Sequence, residues 1–224
     1  MQYEIIGGSF PAVVCHLQGG EAMKNESGSM IWMDANIQMT TTGGGGKKML
    51  GRLFSGESLF MNVYTANGDG KIAFGSSFPG RILPVQISPG HELVVQKSGF
   101  LASEMGVDLS VHINQKIAGG VFGGEGFIMQ RLSGNGIAFI ECDGEMVEYD
   151  LAPGQQIIVD TGNVLAFSGG VQLEIQRVKG VTNIVFGGEG LFNTVLTGPG
   201  KVWLQTMPIC NVAGSIQPYI VTGS

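Results

Sequence analysis

Three stretches of the chain share one rhythm of apolar and polar positions: LFMNVYTANGDGKIAFGSS (59–77), FIMQRLSGNGIAFIEC (127–142) and LFNTVLTGPGKVWLQTM (191–207). In each, apolar residues alternate with polar ones, glycines interrupt, and the alternation resumes. A period of two turns one face of an extended strand towards a core. Glycine at the interruption supplies the positive φ of a tight turn, so each stretch predicts an antiparallel hairpin. A second turn, at PGR (79–81) or DGE (143–145), leads into a strand ending at SPG (88–90) or APG (152–154).

The rhythm belongs to a longer internal repeat, the sequence mark of a repetitive fold. Residues 87–111 align without a gap on 151–175: Pro89 meets Pro153, Gly90 meets Gly154, Val95 meets Val159, Leu101 meets Leu165 and Leu109 meets Leu173. Residues 17–41 form a weaker copy. An F-x-G-E element follows each copy, at Phe54, Phe122 and Phe186, with a period of roughly 64 to 70 residues. The strand before the PG turn has no copy after Met207, but SFPAVVCHLQGG (9–20) matches SFPGRILPVQISPG (77–90) in its opening and closing signals. The expectation is therefore an all-β protein of three sandwich repeats (9–76, 77–140 and 141–224), circularly permuted, with the N-terminal strand completing the last repeat. A seam of that kind favours a closed pseudo-threefold body over an open array. The stretch TTTGGGGKKMLGRLF (40–54) interrupts the pattern, and KKMLGRLF within it predicts a short amphipathic helix.

The order GSMIWMDANIQMTTTGGGG, LGRLFSGESLFMNVYTANGDGKIAFGSSFPGRI, GVFGGEGFIMQRLSGNGIAFI and VFGGEGLFNTVLTGPGKVWLQTMP resembles the family of altered inheritance of mitochondria protein 24, over nearly the whole chain. The resemblance implies repeats similar to the subunit of the tryptophan RNA-binding attenuation protein (TRAP-like), a short form of the double-stranded β-helix. It brings no agreed catalytic residues. Mitochondrial members are associated with inner-membrane organisation, a link that does not carry over to a chain showing no transit peptide.

Composition narrows the partners. The 224 residues carry a formal charge of −6 with a pI near 5.0, so nucleic acid is not an expected partner. No basic region precedes a long apolar run at the N-terminus, and no apolar stretch is long enough for a membrane-spanning helix; a cytoplasmic protein is expected. Three cysteines, Cys15, Cys142 and Cys210, lie far apart without CxxC spacing and read as reduced thiols.

Candidate chemistry is sparse. GGGGKK (43–48) lacks the P-loop spacing and its Ser or Thr. Lys47, Lys48 and Arg52 are nevertheless the densest positive patch of an acidic chain, suited to an acidic protein partner or to peripheral contact with an anionic membrane. His16, His91 and His112 have no second ligand at metal spacing. No Ser sits in a nucleophile-elbow context, and Cys142 follows Glu141 with no evident base. Glu148 and Asp150 share one face of GEMVEYD while Glu145 takes the other, as on a solvated edge strand. Glu57, Glu125 and Glu189 occupy equivalent F-x-G-E positions. They read as braces whose carboxylates accept backbone N–H groups; the rival is a three-carboxylate site for calcium or magnesium. No cofactor and no catalytic residue is assigned. The expected function is a non-enzymatic, self-associating scaffold or interaction module with an unknown protein partner, and the alternative is a small-ligand binder with a cleft between repeats.

Overall fold

The computed structural model describes residues 1–26, 28–42, 61–115, 126–177 and 192–220. In chain order β1 (Gln2–Ile6), β2 (Ala12–Leu17), β3 (Ala22–Glu26), β4 (Met30–Met33) and β5 (Ile37–Thr42) precede β6 (Met61–Ala66) and β7 (Gly70–Gly75). Next come β8 (Gly80–Ile87), β9 (Leu93–Gln96), β10 (Phe100–Glu104), β11 (Val107–Gln115), β12 (Phe127–Gly134) and β13 (Gly136–Asp143). The last group is β14 (Met146–Leu151), β15 (Gln156–Asp160), β16 (Val164–Ser168), β17 (Gln172–Arg177), β18 (Phe192–Thr197) and β19 (Gly200–Gln205), followed by the helix α1 (Ile209–Ile216). The all-β class read from the alternating pattern is the class observed.

The strands form four antiparallel sheets. Their orders are β1-β2-β7-β4, β5-β6-β3-β10-β13-β8, β11-β12-β9-β16-β19-β14 and β15-β18-β17. Three apolar cores lie between successive sheets. Val13, Cys15, Ile72 and Phe74 of the first sheet meet Met23, Tyr64, Leu101 and Phe139 of the second. Ile87, Phe100 and Ile140 of the second meet Leu93, Val95, Leu132 and Leu165 of the third. Val94, Phe127, Phe167 and Val202 of the third meet Val159 and Leu196 of the fourth. The strand period of two does the sharing: adjacent Phe139 and Ile140 point to opposite faces of β13 and enter different cores.

Two expectations about connectivity are corrected. The glycine-interrupted stretches are not hairpins. β6 lies between β5 and β3, whereas β7 lies between β2 and β4 in another sheet. The pairs β12, β13 and β18, β19 divide in the same way. Every one of these six strands has both edges occupied, so a hairpin partner has no place to bond. The glycines instead turn corners between sheets: β12 ends at Gly134 (φ +94°) and β13 starts at Gly136 (φ +150°), with Asn135 alone between them. One residue is too short for the two-residue hairpin turns.

The permuted seam is overturned as well. β2 pairs with β1 and with β7, Ala12 opposite Gly75 through Leu17 opposite Gly70, and has no partner among the described residues of 141–224. The strand thought to be missing from the last third is β14, which pairs with β19 as β8 does with β13 and β2 with β7. Nor do the sheets close into a ring among the described residues, where β4 and β15 are edge strands. The expected helix at 47–54 lies outside the described residues.

Candidate functional site

Glu57, Glu125 and Glu189 lie outside the described residues, as do Lys47, Lys48 and Arg52. The strand pairs that flank the three glutamates are described. β5 pairs with β6, β11 with β12 and β17 with β18, so each F-x-G-E falls in the connection of one antiparallel pair.

A brace of the kind expected at those glutamates is seen at Glu141 instead. Its buried carboxylate accepts hydrogen bonds from Ser76 Oγ (2.7 Å), Ser77 N (2.6 Å) and Ser77 Oγ (3.2 Å). It thereby pins the β7–β8 connection to β13. Burial pushes its carboxyl above the usual carboxylate range, against the pull of those three donors. Sequence reasoning reached Glu141 only as the neighbour of Cys142, and the Ser76-Ser77 pair that binds it lies 64 residues away along the chain.

The remaining polar groups are paired in small, separate sets. Glu145 accepts two bonds from Arg81, at 2.8 Å each, and that hydrogen-bonded guanidinium holds its carboxyl below the usual range. Glu148 faces Lys201 and also accepts from Trp203 Nε1 (2.7 Å); the hydrogen-bonded Lys201 lowers its carboxyl. Glu148 lies on β14, the outer strand of the third sheet, and Glu145 immediately before it; β14 is exposed along Val147–Asp150, so the solvated edge read from GEMVEYD is in place.

His16 sits 3.5 Å from Glu4, His91 Nδ1 lies 3.4 Å from Ser88 Oγ, and His112 Nδ1 lies 3.2 Å from Arg131 Nη2. Burial, then Arg131, lowers the His112 pKa. Burial raises the thiols of Cys142 and Cys210 and pushes Cys15 up to about 12, the opposite of an activated nucleophile. No group of three or more metal-ligating side chains occurs among the described residues. Three buried polar atoms, Asn25 Oδ1, Ser103 Oγ and Gln130 Oε1, have no hydrogen-bond partner among the described residues. Gln130 Nε2 donates to Glu26 Oε1 (2.6 Å) and links the second and third sheets.

What the surface offers is apolar. Ile31 and Trp32 on β4, Ile158 on β15, and Ile209, Ile216, Tyr219 and Ile220 on and after α1 are all exposed. The helix has no buried residue of its own. It is tied down at its start, where Pro208 is buried and Ile209 N donates to Asp143 Oδ2 (2.7 Å). No described helix is long and apolar enough to cross a membrane.

Residues 3–207 match the family model described as Mitochondrial biogenesis AIM24. The chain belongs to this family. The AIM24 match spans every strand that carries a core and stops one residue before Pro208, so α1 lies beyond it. An uncharacterized AIM24 relative from Streptococcus pyogenes serotype M6 is 28% identical over 225 residues, covering 96% of this chain and 89% of the relative. The crystal structure of protein SPYM3_0169 from Streptococcus pyogenes is similar with a TM-score of 0.82 at 25% identity, over 98% of this chain and 99% of that one.

Proposed function

We propose that this AIM24 protein is a non-enzymatic scaffold of the cytoplasm: an interaction module that holds a protein partner, and reaches membrane surfaces only through such partners. The observation that carries this reading is α1, a short helix anchored at its N-terminus with an apolar face left in water. A fixed amphipathic helix is a ready element for a hydrophobic groove, because its anchors are ordered before binding. The body behind it fits the same role. We take it as three TRAP-like repeats, in keeping with the threefold recurrence of the β2–β7, β8–β13 and β14–β19 pairings.

Affinity purification of the tagged chain from its native cells, compared with an Ile216→Asp, Tyr219→Asp variant, tests the reading. Both side chains are exposed, so the variant should fold normally and lose at least one specific partner. Identical partner sets from the two would refute it. A ligand-binding function has one observation in its favour, the buried Ser103 and Gln130 oxygens. A saturable rise of several degrees in melting temperature with a metabolite, lost in Gln130→Leu, would establish that function in place of the scaffold.

A further inference from the structure

One strand pairing recurs in each third of the chain: β2 on β7, β8 on β13 and β14 on β19. The registers correspond, since Leu17 faces Gly70, Ile87 faces Gly136 and Leu151 faces Gly200. Counting back from these pairs, Cys15, Val85 and Tyr149 hold one position, and Val13, Leu83 and Val147 hold another. Of the three strands, β2 alone has a further strand on its far side. β1 bonds to it antiparallel, Gln2 opposite His16 through Ile6 opposite Ala12. Among the described residues β8 and β14 have no such neighbour and are last in their sheets. The fold thus fills this place once and leaves it open twice.

The two open edges are not alike. β8 carries Pro84 at its middle, and proline has no N–H to give to a ladder. β14, MVEYDL, has no proline and is exposed from Val147 to Asp150. Val147 is 38% exposed and Tyr149 44%, whereas Val13 and Cys15, which lie opposite Ile5 and Tyr3 of β1, are fully buried. Glu148 and Asp150 take the other face of β14. Lys201 lies across from Asp150 but bonds to Glu148, so two carboxylates share one ammonium there.

These features select the occupant of the edge. A second copy of β14 would set Glu148 and Asp150 of one strand beside those of the other, and like charges across a ladder repel. The same charges keep the edge from pairing indiscriminately. A strand that brings apolar side chains to Val147 and Tyr149, and cations to Glu148 and Asp150, meets no such barrier. Its cations supply the charge that Lys201 alone does not.

We propose that the outer edge of β14 takes up an extended segment of a partner protein, antiparallel, in the register that β1 adopts on β2. Carried over from the 5 residues of β1, that register sets successive residues of the segment against Asp150, Tyr149, Glu148, Val147 and Met146. The residues facing Asp150 and Glu148 are Lys or Arg, and the other three are apolar. β1 itself, QYEII, has the apolar part of this pattern in Tyr3, Ile5 and Ile6, with Gln2 and Glu4 where the cations belong. Recognition is β-strand addition, in which backbone bonds give affinity and alternate side chains give specificity. The proposal rests on the scaffold reading and names a partner class for it, an alternating basic and apolar segment; α1 is a separate contact.

Fluorescence anisotropy with labelled peptides tests it. The probe is the sequence of residues 1–8 carrying Gln2→Lys and Glu4→Lys, and the control is the same peptide unchanged. The wild-type chain should bind the lysine peptide saturably, about tenfold more tightly than the control. A chain carrying Glu148→Lys and Asp150→Lys should lose the lysine peptide and bind instead a peptide with Gln2→Glu. Should that chain misfold, Asp150→Lys alone decides the matter, with Glu4→Lys held in the peptide and Gln2→Lys exchanged for Gln2→Glu. Hydrogen exchange should show slowed amides along residues 146–151 when the lysine peptide is bound. No binding of that peptide, equal binding of the control, or slowing on another strand would overturn the proposal. So would slowing along 146–151 that grows with the protein's own concentration and needs no peptide, which would mean that a second copy holds the edge. Failure of the peptide with an α1-dependent partner still captured would refute the β14 site and leave the scaffold reading standing. Peptide binding at β14 with no α1-dependent partner would refute α1 as a contact and keep the β14 site.

Discussion

Glu141 sits on β13, a strand covered by cores on both faces, where an unpaired carboxylate would not be tolerated. Its three donors from Ser76 and Ser77 make it tolerable, and two substitutions separate hydrogen bonding from charge. Glu141→Ala leaves the Ser77 N–H without its acceptor and should cost about 1–3 kcal/mol in urea unfolding. Glu141→Gln keeps an acceptor oxygen, and the serine hydroxyls can turn to accept from its amide. The folded-state pKa lies above the ordinary 4.5, because burial penalises the charged form. Stability linked to this group is therefore fully present below the unfolded value and is lost as pH rises through the folded one. Unfolding curves of wild type and Glu141→Gln should lie closest at acid pH and separate in favour of Gln as the pH rises. A gap that stays constant with pH would mean that Glu141 titrates as it does in the unfolded chain.

At the scale of strands and turns, the glycines that look alike in sequence do different work. Gly154 (φ +76°) opens onto space, with no atom within 4 Å of an added Cβ. Gly134 (φ +94°) would bring that Cβ to 2.3 Å from the Gly106 carbonyl oxygen. Gly154→Ala should then cost only the left-handed penalty of about 1–2 kcal/mol, and Gly134→Ala, which must also shift backbone, more than about 3 kcal/mol. Chemical denaturation of the two variants gives the comparison, and equal losses would show that the Gly134 corner relaxes freely. Strand existence was legible because the period of two survives in every third of the chain. Which edges pair was not: alternation reports the face a residue takes, never the neighbour to which its backbone bonds. The misplaced seam has a physical cause as well. The strand before each PG or GG turn bonds to a strand that follows it in the chain, β2 to β7, β8 to β13 and β14 to β19, and its alternation carries no mark of that partner, so sequence alone does not show that it opens each third rather than ending it. The F-x-G-E glutamates and the Lys47, Lys48 and Arg52 patch were legible as motifs but fall outside the described residues, and Glu141 escaped notice because its partners are distant in sequence.

Across the whole molecule, the sharing of sheets between cores decides how it should come apart. Stacked repeats that touch only through weak joints unfold piecemeal, whereas strongly coupled ones unfold together. Here the second and third sheets each line two cores, and a single strand such as β13 supplies Phe139 to one and Ile140 to the next. The second core cannot be exposed without stripping one wall from the first or the third, which predicts one cooperative transition. The two tryptophans of the chain are well placed to report it. Trp32 lies on β4 in the first sheet, while Trp203 lies on β19 in the third and packs against the second core. Trp32→Phe leaves only the distant probe, and Trp203→Phe leaves only the near one. Urea titrations followed by the remaining tryptophan in each variant should have midpoints that coincide with the far-ultraviolet circular dichroism of the same sample. If the Trp32 signal is lost at lower urea while the Trp203 signal and the strand signal persist, the first core is an independent unit and the shared sheets do not couple the stack.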